Sequence, residues 1–109
     1  MAVRDQLITI ERETNTRRPG GGLASEWTEI GELWVAARWV GGGEGEARGA
    51  VRATARYRFI AISADVEALG VTTKDRIVWN GEPYNIRETP RRLRKPVETE
   101  IIAETGVTQ

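Results

Sequence analysis

The residues able to do chemistry in this 109-residue chain are its sixteen carboxylates and sixteen Lys or Arg, because histidine and cysteine are absent. That absence removes the commonest general base, the commonest zinc ligand, thiolate metal sites and any disulfide framework. Acid–base work would have to rest on carboxylates, with Asp65, Asp75, Glu82 and Glu88 as candidates. None stands in a paired-acid or metal-ligand motif, and each falls where a turn or an exposed strand face ordinarily carries charge. Gly41-Gly-Gly-Glu-Gly-Glu46 invites comparison with a phosphate-cradling loop, but no Gly-Lys-Ser/Thr follows and no helix begins there. Catalysis is not expected, and no metal or cofactor is implied.

Equal numbers of acids and bases leave no net field to draw in nucleic acid or a membrane. Fourteen of the bases are Arg and two are Lys, a bias that suits planar, bidentate contacts at interfaces. Two clusters stand out: Arg48, Arg52, Arg56 and Arg58, then Arg91, Arg92, Arg94 and Lys95. Basic clusters beside aromatics suit a small barrel that binds single-stranded nucleic acid. Tyr57 and Phe59 read more simply as core residues, and Glu44 and Glu46 weaken a phosphate grip. Mixed charge fits a protein partner, or a lumen past which DNA slides without sticking.

The elements that position these residues are strands. Leu7–Arg12, 32–40, 55–62, Arg76–Trp79, Glu82–Arg87 and Val97–Ala103 carry apolar, β-branched and aromatic residues in strand-like patterns. Asn80-Gly81 is the preferred dipeptide of a two-residue hairpin. Thr14–Ser25, with Pro-Gly-Gly-Gly at its centre, reads as a loop, and 90–96 as a basic connector. Asp65–Gly70 gives at most one short helix. The expected fold is a single all-β domain over 1–109: a six-stranded antiparallel barrel or sandwich, with a frayed tail at 105–109. No run approaches membrane-spanning length and no apolar leader opens the chain, so synthesis in the cytoplasm and no membrane partner are expected.

The long Gly-rich segment between the second and third strands, about 41–54, holds five of the twelve glycines within residues 41–50. Irregular insertions of this length in small domains are functional or disordered. Folded back as a hairpin arm it would reach roughly 20 Å. Of the four tryptophans, Trp34 and Trp39 lie five apart on one strand, so alternation sends them to opposite faces. One of them is then a candidate for a subunit interface.

The order of these features resembles the head–tail joining proteins (head–tail adaptor, head-closure or stopper proteins) of long-tailed phages and phage-derived particles such as gene transfer agents. The resemblance is carried by Leu7-Ile-Thr-Ile-Glu-Arg-Glu with Glu26-Trp-Thr-Glu-Ile, by Glu32-Leu-Trp-Val-Ala-Ala-Arg, by the insertion leading to Tyr57-Arg-Phe-Ile-Ala-Ile, and by Asp75-Arg-Ile-Val-Trp-Asn-Gly-Glu-Pro-Tyr-Asn-Ile-Arg. It implies a non-enzymatic virion protein, a ring of twelve copies at the head–tail interface, assembled in the bacterial cytoplasm. A portal or adaptor would lie above the ring and a tail terminator or other tail proteins below. Packaged double-stranded DNA would pass through without sequence reading. Gly41, Gly42, Gly43, Glu44, Gly45, Glu46, Arg48, Gly49 and Arg52 would form the channel loop, while Trp34, Trp39, Arg91, Arg92 and Arg94 are candidates for contacts with neighbours. The alternatives are a tail terminator or another ring protein at the tail tube and, from a different class, the single-strand-binding barrel.

Overall fold

A computed structural model describes residues 3–17, 19–47 and 50–105. The elements in chain order are β1 (Gln6–Arg17), β2 (Leu23–Ala47), β3 (Ala50–Ile62), α1 (Ser63–Leu69), β4 (Asp75–Trp79), β5 (Glu82–Ile86), β6 (Arg91–Arg92) and β7 (Glu98–Thr105). Every pairing is antiparallel. Six strands close on themselves in the order β1-β2-β3-β7-β5-β4, and β4 returns to β1. The six expected strands are therefore present, with β6 as a two-residue addition along β7.

Alternation explains the core. Ile8, Ile10, Leu33, Val35, Phe59, Ala61, Ile77, Tyr84, Ile86, Ile101 and Ala103 all point inward and are buried. At one end Tyr57, Phe59, Trp79 and Tyr84 meet mostly edge to face. Tyr57 and Trp79 lie 5.0 Å apart at 74°, and Phe59 and Trp79 5.6 Å apart at 85°. Rings crossed this way gain quadrupole attraction beyond the area they bury. The turn between β4 and β5 holds Asn80 at φ 53 and Gly81 at φ 77, the left-handed pair that the Asn-Gly dipeptide favours.

The short helix starts two residues before its expected position and stops at Gly70. That residue adopts φ 64 and returns its N–H to Val66 and Glu67. Leu69 leans on β2 so closely that a Cβ on Gly31 would stand 2.5 Å from its Cδ2, so any larger residue there requires the Leu69 side chain to turn aside.

Asp75, considered among the carboxylates of exposed turns, is instead only 2% exposed. Arg12 donates to it twice, Nε to Oδ1 at 2.9 Å and Nη2 to Oδ2 at 3.0 Å, and the Thr72 N–H adds a third bond at 2.9 Å. A buried carboxylate persists when its lone pairs are so engaged. This one ties β1 to the turn before β4. In return the Asp75 carboxylate, hydrogen-bonded to the Arg12 guanidinium, raises the guanidinium's pKa above its ordinary value.

β2 runs for 25 residues and organises the molecule. An extra residue, Ile30, interrupts its register with β1, and another, Val40, interrupts its register with β3. Between these two bulges β2 forms part of the closed wall. Two residues beyond each, where β1 parts from β4 and β3 from β7, it continues as a two-stranded ribbon. The segment read as a Thr14–Ser25 loop is mostly strand: β1 continues to Arg17 and β2 resumes at Leu23. Only the connection is irregular, with Gly20, Gly21 and Gly22 at φ 89, 98 and 89.

Candidate functional site

The Gly-rich segment is the second ribbon. Gly41 pairs with Arg56 and the ladder continues through Gly42↔Ala55, Gly43↔Thr54, Glu44↔Ala53, Gly45↔Arg52 and Glu46↔Val51 to Ala47↔Ala50. Arg48 and Gly49 lie outside the described residues. The supposed loop is thus an ordered backbone ladder, with a reach of about 23 Å for the seven residues of one strand from Gly41 to Ala47. β3 has β7 on its other side only as far as Ala55↔Thr105, so among the described residues the ribbon beyond that point pairs solely with itself. Both flanking strands belong to the closed wall, which fixes the direction in which the arm leaves.

Trp34 faces outward, 58% exposed, beside its cross-strand partner Leu7. Trp39 pairs with Tyr57 at the root of the glycine arm and is 63% exposed. Period two separates their faces as expected, yet neither is covered. Arg91 pairs with Glu100, Arg92 with Glu67, and Arg94 makes no ion pair among the described residues. The candidate interface residues therefore form separate groups, the tryptophans on β2 and the arginines beside β7.

Sequence reasoning missed a ladder of charge along the outer face of β7. Glu98 meets Arg4 at 3.1 Å, Glu100 meets Arg58 at 2.9 Å as well as Arg91, and Glu104 meets Arg87 at 2.9 Å and Arg56 at 3.8 Å. Glu100 is 4% exposed, and its two carboxylate oxygens face Arg58 and Arg91. Arg58 Nε lies close to Glu100 without hydrogen-bond geometry, leaving a buried N–H held by charge alone. The two-residue spacing of Glu98, Glu100, Arg56 and Arg58 was the available signal. Arg56 and Arg58 are thereby engaged in holding β3 to β7.

Comparison with known families matches residues 4–106 to phage head completion protein. The chain belongs to that family. Head completion proteins are structural parts of the virion, so the chain is a non-enzymatic structural protein of a phage-type particle. Two solved structures share the fold of this head completion protein. One is a chain from the virion of a native gene transfer agent particle, with TM-score 0.76 at 19% identity, covering 96% of each chain. The other is a Shigella flexneri 2a protein determined in solution, with TM-score 0.66 at 20% identity over 100% of both chains. No curated protein matches.

The carboxylates once weighed for catalysis do not converge in the head completion fold. Asp65 is in the first turn of α1, Glu82 follows the β4–β5 turn, Glu88 lies beyond β5, and Asp75 is consumed by Arg12. Among the described residues no group of three Asp or Glu could hold a metal, and no helix is long and apolar enough to cross a membrane.

Proposed function

We propose that this head completion protein is a stopper-type connector. Twelve copies form a ring assembled in the bacterial cytoplasm, between the portal or its adaptor and the tail terminator or other tail proteins. The β2–β3 arm lines or closes the channel, through which double-stranded DNA passes without sequence reading. The observation that carries this reading is the ribbon of Gly41–Ala47 against Ala50–Arg56, whose ladder continues past the last β3–β7 pair at Ala55↔Thr105 and so leaves the closed wall. Its composition supports the role. Glycine lets the backbone take a second arrangement at low steric cost, and Glu44, Glu46, Arg48 and Arg52 offer both signs to neighbouring copies, where many weak pairs sum.

The register supplies a clean test. Replacing residues 43–54 by Asn-Gly would join the partners Gly42 and Ala55 through a short turn and leave the wall intact. The shortened protein should fold and enter particles, while packaged DNA leaks or tails fail to join. Unchanged DNA retention and particle yield would overturn the assignment of the arm.

A further inference from the structure

The outer wall of the molecule is electrically two-sided. Cross-strand partners share a face, so the pairs Thr9↔Glu32, Glu11↔Glu29 and Glu13↔Trp27 put four carboxylates in one row along β1 and β2. Arg76 answers Glu11 at 2.7 Å, and its guanidinium sits 4.1 Å above the Trp27 ring. Lys74 stands in the neighbouring turn, but Glu13, Glu29 and Glu32 make no ion pair among the described residues. At the upper end of this row are the exposed Leu7 and Trp34.

β7 lies three strands from β1 in either direction around the closed order, and two from β2 by way of β3. There Arg4, Arg56, Arg58, Arg87 and Arg91 stand over Glu98, Glu100 and Glu104, with Glu88 beside them. Each arginine has five N–H donors, so this face keeps unspent donors and net positive charge. It also carries a groove of about 360 Å³ lined by Glu88, Thr89, Arg91, Glu100 and Ile102. The groove has an apolar side chain in its lining and a charged rim.

We propose that these opposite faces bind each other between copies. The Glu29–Glu32–Trp34 face of one molecule docks on the β6–β7 arginine face of the next, with Trp34 seated in the groove beside Ile102. The occupant is a second copy because the two faces are complementary in charge, and the exposed aromatic on one has a receptacle on the other. Faces that differ and lie on opposite sides generate heterologous contacts, which propagate around a ring instead of stopping at a dimer. This rests on the connector reading and names the contact by which its ring would close.

Because the chain has no cysteine, introduced thiols report without background. The double variant Glu32→Cys/Arg91→Cys, treated with a short bis-maleimide, is examined both as concentrated protein and in purified particles. A ladder of dimers, trimers and larger species in either setting, absent from each single variant, is the expected result. No ladder in both settings, or dimers from a single variant, overturns the proposal; the latter outcome indicates a two-fold contact. A ladder in solution from protein that never enters particles would instead count against the connector reading. As a second readout, Glu29→Arg and Arg87→Glu, each built into the cysteine background, should separately cut the ladder at least tenfold. Mixing the two should restore it, which misfolded variants could not do; failure of restoration between folded variants also overturns the pairing.

Discussion

The two ribbons that leave opposite ends of β2 share a design and differ in what holds them. The β1–β2 ribbon is tied by side chains. Ser25 donates to Asn15 Oδ1 at 2.8 Å, Thr14 donates to the Glu26 carbonyl at 3.3 Å, and at the root Arg12 binds both Asp75 and the Gly70 carbonyl. The β2–β3 ribbon is built from Gly41, Gly42, Gly43 and Gly45 facing Arg56, Ala55, Thr54 and Arg52, so few cross-strand side-chain pairs are available to it. One arm is stiffened by its side chains, whereas the glycines of the other offer none. Identical pairing therefore does not imply equal stability, and the weaker ribbon is the one suited to rearrangement.

The sharpest way to break the comparison is at the roots. Asp75→Ala removes the buried carboxylate that accepts from Arg12 and from the Thr72 N–H, and should cost about 2–3 kcal/mol in urea unfolding. Arg56→Ala at the other root removes a 3.8 Å, half-exposed contact with Glu104 and should cost under about 1 kcal/mol. Equal losses would mean that the two roots are held alike. Next come the glycines beside the bulges. Gly31→Ala must displace Leu69 and should destabilise by about 1–3 kcal/mol, measured by thermal melting. Gly41 has nothing within 4 Å of a built Cβ and no positive φ, so Gly41→Ala should be neutral or gain about 0.5–1 kcal/mol.

Hydrogen exchange sharpens the contrast without mutation. Amides of 43–46 should exchange roughly tenfold or more faster than those of 13–16, equivalent to about 1.4 kcal/mol in local opening. Comparable protection would remove the distinction between a stiff arm and a yielding one. The smallest expected loss is Ser25→Ala, which deletes one exposed hydrogen bond and should cost about 0.5 kcal/mol while raising exchange only in the β1–β2 ribbon.

What could be read from the sequence followed from short-range physics. Asn80-Gly81 fixed its turn because its residues tolerate positive φ, and alternation along Leu7–Arg12 identified Ile8 and Ile10 as inward. The ribbons were harder to see. Glycines and Pro-Gly-Gly-Gly normally punctuate chains, and a ladder through 41–54 inherits its register from the wall below it rather than from local propensity. Asp75 looked like a turn residue because its partner Arg12 is 63 positions away. The charge row on β7 was hidden for the same reason: Glu100 is buried by arginines from two other strands. That Trp34 and Trp39 take opposite faces was legible, whereas which of them turns outward was not, and the groove depends on how β6 lies along β7.

The two bulges on β2 have a consequence for how such proteins can diversify. They separate the register of the wall from the register of each ribbon. Adding two residues to each strand of an arm preserves inward and outward faces and extends the tip by about 6.6 Å. The wall never experiences the change. Each arm can thus be lengthened or shortened in fixed steps to suit a particle of different bore, while the core that folds the protein stays the same.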